Sequence, residues 1–508
     1  MKIINPARKA FLLLSLILFL VSFALKAQEQ FRLSDYKNPE YRWQRLDLRF
    51  GLGGNNNYSR REIDNGINYK SNNSQFNGGI DVDYYGTKNS PTYQGYQLIS
   101  LGTDLVSSWY KYEDLAHDGY GNNQKNKNGN INLDAETVNR FYGKKKRYVE
   151  ADLGLGSRYY RSAAQYSADQ ETLPYNDKAT TYRYEIFASL PLLVGVGRIE
   201  EVQDARLSVY ILDDLAASGD LTRTPTSEEI LAFSAFITGV KNQRYFDARL
   251  RKISEITAID SFLTVTGLKA ESDASYYTLI NDNWEFSSGP VRRAGGRFSI
   301  GLVPQLNMTF EENERFWKDT LNNAAVIETY SDRNNTGMDA WGLDFLTGYT
   351  WEKPASLYWQ HTIDASLAYS LYHQNMNFKN YEKDSLINEL EIRINSPNIL
   401  LDLGYNVGYY PNSRTQIMLG INTSFNQYWG DQAINDDNEI DAGKILVNNN
   451  IHLSCYYYFS PQLRLMLGMN SIYSFTRNNQ AQSGEENAEE FIHDFQNSIS
   501  ASLTYSIF

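Results

Sequence analysis

Five histidines and a single cysteine are the only imidazole and thiol groups in a chain of 508 residues. His117, His361, His373, His452 and His493 are scattered, and no pair has metal-ligand spacing. One thiol, Cys455, can build neither a zinc site nor an internal disulfide. His452 and Ser454 stand two residues apart in an alternating segment, so a base and a nucleophile share one face. Two polar residues at period two occur in any strand with a wet face, and a catalytic triad is defined by geometry rather than by spacing. Asp436, Asp437, Glu439 and Asp441 miss the EF-hand pattern and suit a solvated acidic loop. Lys144, Lys145, Lys146 and Arg147 make the one sharp basic run, which reads as a charged turn. Gly51, Gly53 and Gly54, like Gly154 and Gly156, lack the strand–turn–helix context of a dinucleotide fingerprint. These residues predict no catalytic centre, no metal and no cofactor: a protein that is not an enzyme.

The elements around them are more informative. Lys2, Arg8 and Lys9 precede an apolar run, Ala10–Ala24, and Ala27 suits a cleavage site. This is the form of a secretory signal, expected over residues 1–27, and the run is shorter than the ~20 residues of a spanning helix. The net charge of −12 becomes −16 once the four basic residues Lys2, Arg8, Lys9 and Lys26 are removed. An acidic chain lacks the footprint of a nucleic-acid binder, so no nucleic-acid partner is expected. The mean hydropathy of −0.50 is no argument against a membrane, because a barrel strand averages a lipid face with a lumen face. The 38 tyrosines fit that setting, where rings sit half in lipid and half in water.

Fourteen alternating segments fit a barrel strand. They are expected near Arg45–Leu52, Phe76–Tyr85, Tyr93–Trp109, Asn130–Tyr142, Arg147–Arg161 and Thr180–Leu193. Beyond a helical stretch come Arg297–Phe310, Trp341–Trp351, Leu357–Leu371, Ile392–Tyr409, Thr415–Trp429, Leu446–Phe459, Leu463–Phe475 and Phe491–Phe508. Ile417, Leu419, Ile421 and Phe425 oppose Gln416, Gly420, Asn422 and Ser424, a clean two-residue period. Short links (Gly86–Thr92, Gly143–Lys146, Glu352–Ala355, Pro411–Arg414, Ser460–Gln462) alternate with long Asn/Asp/Gly-rich ones. The long links include Gly53–Gln75, Lys111–Gly129, Gln374–Glu391 and Gly430–Lys444. Short turns on one side and long loops on the other are the habit of membrane barrels. Trp43, Trp109, Trp341, Trp351, Trp359 and Trp429 fall at the expected strand ends, as an aromatic girdle requires.

The last segment closes on Phe508, and the chain resembles Gram-negative outer-membrane β-barrel proteins in this terminal aromatic strand and in the pattern preceding it. The apolar face of Ile499, Ala501, Leu503, Tyr505 and Ile507 runs one residue out of phase with Phe508. The resemblance implies the outer membrane of a Gram-negative bacterium, with membrane lipid and the barrel assembly machinery as partners.

Val196–Phe286 departs from this pattern. Ile199, Val202, Ala205, Val209, Leu212 and Leu215 recur at helical spacing before Gly219. Thr226 and Glu229 have the form of a capping box, followed by Ile230, Phe233, Ile237 and Val240. A third stripe holds Phe246, Leu250, Ile253 and Ile256, and a short fourth helix fits Ala274–Ile280. Glu200, Glu201, Asp204, Arg206, Arg244, Arg249 and Arg251 read as a solvated mixed-charge face. The expectation is therefore an all-β transmembrane, antiparallel up-and-down barrel of about fourteen strands. A signal peptide occupies 1–27, a periplasmic segment 28–44, strands one to six 45–195, a periplasmic helical insertion 196–288, and strands seven to fourteen 289–508. Arg49, Gln305, Asn307, Asp364, Asn422 and His452 are the expected lumen-lining residues. The leading function is a channel for small or medium solutes. The alternative is a non-transporting assembly or anchoring factor that docks a periplasmic protein through its helices.

Overall fold

A computed structural model describes residues 31–61, 69–114, 121–169, 175–243, 248–270, 273–286, 291–320, 327–434, 438–460, 463–480 and 488–505. The signal segment, His117, Arg244, Asp436, Asp437 and Phe508 lie outside them. Seventeen strand segments form one sheet. They are β1 (Tyr41–Arg61), β2 (Tyr69–Ser90), β3 (Tyr93–Asp114), β4 (Gly121–Tyr142), β5 (Arg147–Ala151), β6 (Leu153–Asp169), β7 (Tyr175–Ser189), β8 (Leu192–Glu201) and β9 (Arg293–Thr320). Then come β10 (Ile327–Pro354), β11 (Trp359–Glu382), β12 (Ser385–Asn395), β13 (Asn398–Asn412), β14 (Thr415–Ile434), β15 (Asn438–Tyr458), β16 (Leu463–Gln480) and β17 (Ala488–Tyr505).

Every pairing is antiparallel, and consecutive strands pair from β1·β2 to β16·β17 except at β5/β6, β7/β8 and β12/β13, where the ladder is carried by β4·β6, β5·β8, β7·β9, β11·β13 and β12·β14. Three crossings of the sheet are interrupted. Asp152 separates β5 from β6, Leu190–Pro191 separates β7 from β8, and Ser396–Pro397 separates β12 from β13. Two of these breaks face each other, since Asp152 N donates to Pro191 O at 2.9 Å. Proline has no N–H for a ladder, and Pro191 and Pro397 stand at two of the three breaks. Seventeen segments with three interruptions give fourteen crossings among the described residues. β1 pairs with β2 alone and β17 with β16 alone among those residues.

Alternation sorts the two faces. On β9, Phe298, Ile300, Leu302, Leu306 and Met308 are exposed, while Arg297, Ser299, Gln305 and Asn307 take the other face. The apolar face carries a belt with aromatic edges. Trp341 and Trp351, on β10, share that face ten residues apart, with Leu343, Phe345 and Tyr349 between them. At ~3.3 Å per residue that is ~33 Å of strand, and a tilt of ~40° reduces it to a height of ~25 Å. That is the height of a barrel's hydrocarbon band. Trp341 is therefore not at a strand end, as expected from the sequence, but in the middle of a 28-residue strand. It marks the edge of the belt, and the strand continues beyond it.

The long links differ from expectation for the same reason. Most of their length is hairpin: β1 continues to Arg61 before β2 begins at Tyr69, and β11 to Glu382 before β12 begins at Ser385. Lys383 and Asp384 take φ of 47° and 62°, the two-residue turn whose twist matches the strands it joins. Beyond the belt both faces are polar, as in Gln124–Asn130, so hydrophobic period two is absent although the ladder is intact.

Between β8 and β9 lie four helices: α1 (Gln203–Ser218), α2 (Ser227–Lys241), α3 (Ala248–Val265) and α4 (Ala274–Glu285). Gly219, with φ 86°, ends α1 by accepting the left-handed conformation there. Thr226 and Glu229 close the expected capping box at the start of α2. Leu207, Ile211, Leu215, Phe233, Ile237, Ile259, Leu263, Tyr276 and Ile280 make one buried core. Ile199 belongs to β8 rather than to a helix, because β8 and β9 stay paired as far as Glu201 and Arg293.

Candidate functional site

The polar face of the sheet forms continuous transverse rows. One row links Arg297, Thr350, Asp364, Gly404, Asn422 and Asn450 in register. The next links Ser299, Gly348, Ser366, Asp402, Ser424 and Asn448. Asp364 and Asn422 sit beside each other across Gly404, and a cavity of about 560 Å³ opens between these rows. Gln305 donates from Nε2 to both Asp344 oxygens at 3.1 Å. Arg49 donates from Nη2 to Asp83 Oδ2 at 2.5 Å, with Asp81 3.8 Å away. Asn307 pairs in register with Ala340 and Phe187. His452 lies over Gly420, where a Cβ would stand 2.1 Å from its Cε1, so a glycine there makes its room. The cavity thus gathers Asp364 and Asn422, while Arg49, Gln305, Asn307 and His452 stand elsewhere on the same face. Ser454 Oγ is buried without a hydrogen-bond partner, and no acid bonds His452 among the described residues, so no triad is assembled.

The short-turn end of this face is covered by a floor that the sequence pattern did not announce. The segment before β1 makes a single turn at Leu33–Asp35, and Leu33 and Tyr36 pack with Val202, Ala205 and Ala294. The Tyr36 hydroxyl lies 2.7 Å from Thr238 Oγ1 on α2, and burial pushes its pKa up. Farther along the same segment, Pro39 O accepts from Asn89 Nδ2 at 3.1 Å. These residues therefore strap the bases of β8 and β9 to that of β2. The ends of β8 and β9 bend at Gly197 and Gly295, with φ of 107° and 132°. A Cβ there would stand 2.0 Å from Gly296 O or 2.2 Å from Arg198 O, so only glycine fits.

The bend carries Arg198 to the β2–β3 turn, past the intervening strands. Its guanidinium donates to Ser90 O at 2.9 Å, Pro91 O at 3.1 Å and Asn89 Oδ1 at 2.9 Å, and pairs with Glu200 at 2.7 Å. Arg292, fully buried, holds the β10–β11 turn through Ser356 O at 2.8 Å, Trp359 O at 2.6 Å and Leu357 O. Burial and the nearby Arg206 push its pKa down to about 10. Arg206 is also buried, at 1% exposure, and so is Glu200. Both were expected on a solvated face. They are enclosed because α1 packs against the strap and the sheet as well as against its own bundle.

No helix among the described residues is long and apolar enough to cross a membrane. The belt of exposed Leu, Ile, Phe and Trp, backed by a hydrogen-bonding face, crosses with strands instead. A belt of that height backed by a polar face is the form of outer-membrane-type barrels. No family model matches it, and no curated protein matches it. Among solved structures it is similar to the transport unit of the autotransporter AIDA-I from Escherichia coli, at 11% identity over 82% of this chain and 91% of that one, with a TM-score of 0.17. The β-domain of the Bordetella autotransporter BrkA matches at 11% identity over 92% and 100%, with a TM-score of 0.19. The CymD monoaromatic hydrocarbon channel matches at 11% identity over 92% and 89%, with a TM-score of 0.20.

Proposed function

We propose that the sheet closes on itself by pairing β1 with β17, and that the enclosed polar lumen passes small or medium hydrophilic solutes. Closure follows from the solvent. A strand edge in hydrocarbon leaves backbone N–H and C=O groups unsatisfied, and only a closed sheet avoids that cost. β1 and β17 both turn apolar residues to the belt side, Leu48 and Phe50 on one and Ile499 and Leu503 on the other. Fourteen crossings would enclose more room than the eight strands whose interior side chains can fill. The observation that carries the reading is the pair of rows of polar residues and glycines, running from β9 to β15, around the 560 Å³ cavity. In this reading the strap, the glycine-hinged ends of β8 and β9, and the helices close the periplasmic mouth. The lumen needs no catalytic group, metal or cofactor.

Purified protein in planar bilayers is expected to give stepwise conductance and, in liposomes, solute flux. The absence of both conductance and flux would overturn the channel. A second reading, an anchoring factor that docks a periplasmic protein, draws on the separate core of the helical bundle and on Ile253 and Val265, exposed on α3. Deleting Ile199–Asn283 separates the two readings: a pore retains flux, whereas an anchor loses its partner in pull-down.

A further inference from the structure

The first turns of α1 bury a positive charge and give it no acceptor. Arg206 Nε and Nη1 make no hydrogen bond, and the residue is 1% exposed. Arginine cannot shed its proton to escape, so a buried guanidinium has to find compensation. The acids close by in sequence are committed elsewhere. Glu200 pairs with Arg198 through Oε1, its buried Oε2 bonding nothing, Asp204 pairs with Lys241 and Thr238, and Asp214 accepts from Asn283. What surrounds Arg206 instead is aromatic and cationic. Its guanidinium lies 5.7 Å from the Tyr210 ring centre and 5.4 Å from that of Tyr410, and Arg292 lies 5.0 Å from the same Tyr410 ring. Arg292 spends all three nitrogens on Gln360 and on the backbone of the β10–β11 turn. Two cations therefore share one ring, and of the two it is Arg206 whose Nε and Nη1 bond nothing.

We propose that Arg206, flanked by Tyr210, Tyr410 and Arg292, is a binding site for a small soluble oxyanion of the phosphate class. Guanidinium N–H donors match oxyanion acceptors in geometry and strength. The location excludes lipid as the source: Tyr410 lies on the polar face of β13, in register step with Asn406 and Gly404, away from the belt. An anion held there ties α1 to β13 and to the β10–β11 turn, and so fixes the helices to the sheet. This inference stands whether or not the lumen conducts.

The test uses the full mature protein in detergent and inorganic phosphate, with chloride at equal ionic strength as the control. Hydrogen exchange of peptides covering 203–212 and 291–293 should slow saturably with phosphate and not with chloride. Arg206→Gln should weaken the phosphate effect at least tenfold, and Arg206→Lys, which keeps the charge, should weaken it less. Equal effects of the two anions, no protection of those peptides, or an Arg206→Gln variant that titrates like the parent would each overturn the proposal. If Arg206→Gln does not hold its helices, the phosphate-versus-chloride comparison on the parent protein decides alone.

Discussion

Tyr36 holds the strap, and its removal should release the strap without unfolding the sheet. The ring is 1% exposed and packs with Leu33, Val202, Ala205 and Ala294. Its hydroxyl lies 2.7 Å from Thr238 Oγ1, which also donates to Asp204 Oδ2 at 2.6 Å. Tyr36→Phe removes the hydroxyl but leaves Thr238 satisfied, so the loss is that of an ordinary hydrogen bond, ~1 kcal/mol. Tyr36→Ala also leaves a cavity, and burying an aromatic ring is worth ~3–5 kcal/mol in such truncations. At ~1.4 kcal/mol per factor of ten, the alanine variant shifts strap release by roughly two to four powers of ten. The phenylalanine variant shifts it by less than one. Local opening of this kind exposes the Lys37–Asn38 bond to trypsin, and cleavage then follows the population of the open form. Tryptic nicking of the folded protein, read by mass, should accelerate a hundredfold or more in Tyr36→Ala and a few-fold in Tyr36→Phe. Nicking of Tyr36→Ala within threefold of the parent would mean that the ring does not anchor the strap.

Ile451 and Asn450 are adjacent on β15 but take opposite faces. Ile451→Arg should cost ~2–4 kcal/mol in urea titrations of protein folded into lipid vesicles, and Asn450→Arg, on the polar face, clearly less; equal costs would reverse the assignment of the faces. Glu229 gives a pH signature of the helices. Arg223 first, and the Thr226 N–H second, pull its carboxyl down to about 2 from an ordinary 4.5. A lowered carboxyl contributes stability that is complete above pH 4.5 and lost as the pH falls towards 2. Helical ellipticity of the parent should therefore exceed that of Glu229→Gln at neutral pH and converge with it near pH 2. A difference that persists at pH 2 would place its cause outside this carboxylate.

The faces, the belt and the capping box were legible because each is written in local period. Phe298 to Phe310 alternates except at Val303–Pro304, and Thr226–Glu229 is a four-residue motif. The extended hairpins were not legible. Gln124–Asn130 is polar on both sides, and what makes it a strand is the ladder to β3 and β6, which no local window contains. Arg206 is instructive in another way. It stands four residues after Val202 and three before Val209, on the apolar stripe itself, and that position was the available sign of burial. Mixed charge around it read as solvent exposure because Tyr410 and Arg292, which enclose it, come from distant parts of the chain.

The distinction between a tethered helical domain and a floor rests on where the apolar contacts fall. The bundle has its own core, from Leu207 to Trp284, which would suffice for a free domain on a linker. A second buried cluster, Leu33, Tyr36, Val202, Ala205 and Ala294, draws in Leu231, Ala235 and Leu357, and so joins the strap, α1, α2, β9 and the β10–β11 turn. Arg198 and Arg292 add ties to two different turns at the same end, largely through backbone carbonyls. Carbonyl acceptors do not depend on the side chains of those turns, so substitutions in the turns should leave the ties intact. A domain held at the β2–β3 turn, at the β10–β11 turn and by the strap cannot swing about a single linker. Its movement would have to break Arg198 or Arg292 away from the carbonyls, or withdraw Tyr36 from α2, and the glycine pair at 197 and 295 is the one place where the β8–β9 ends already bend.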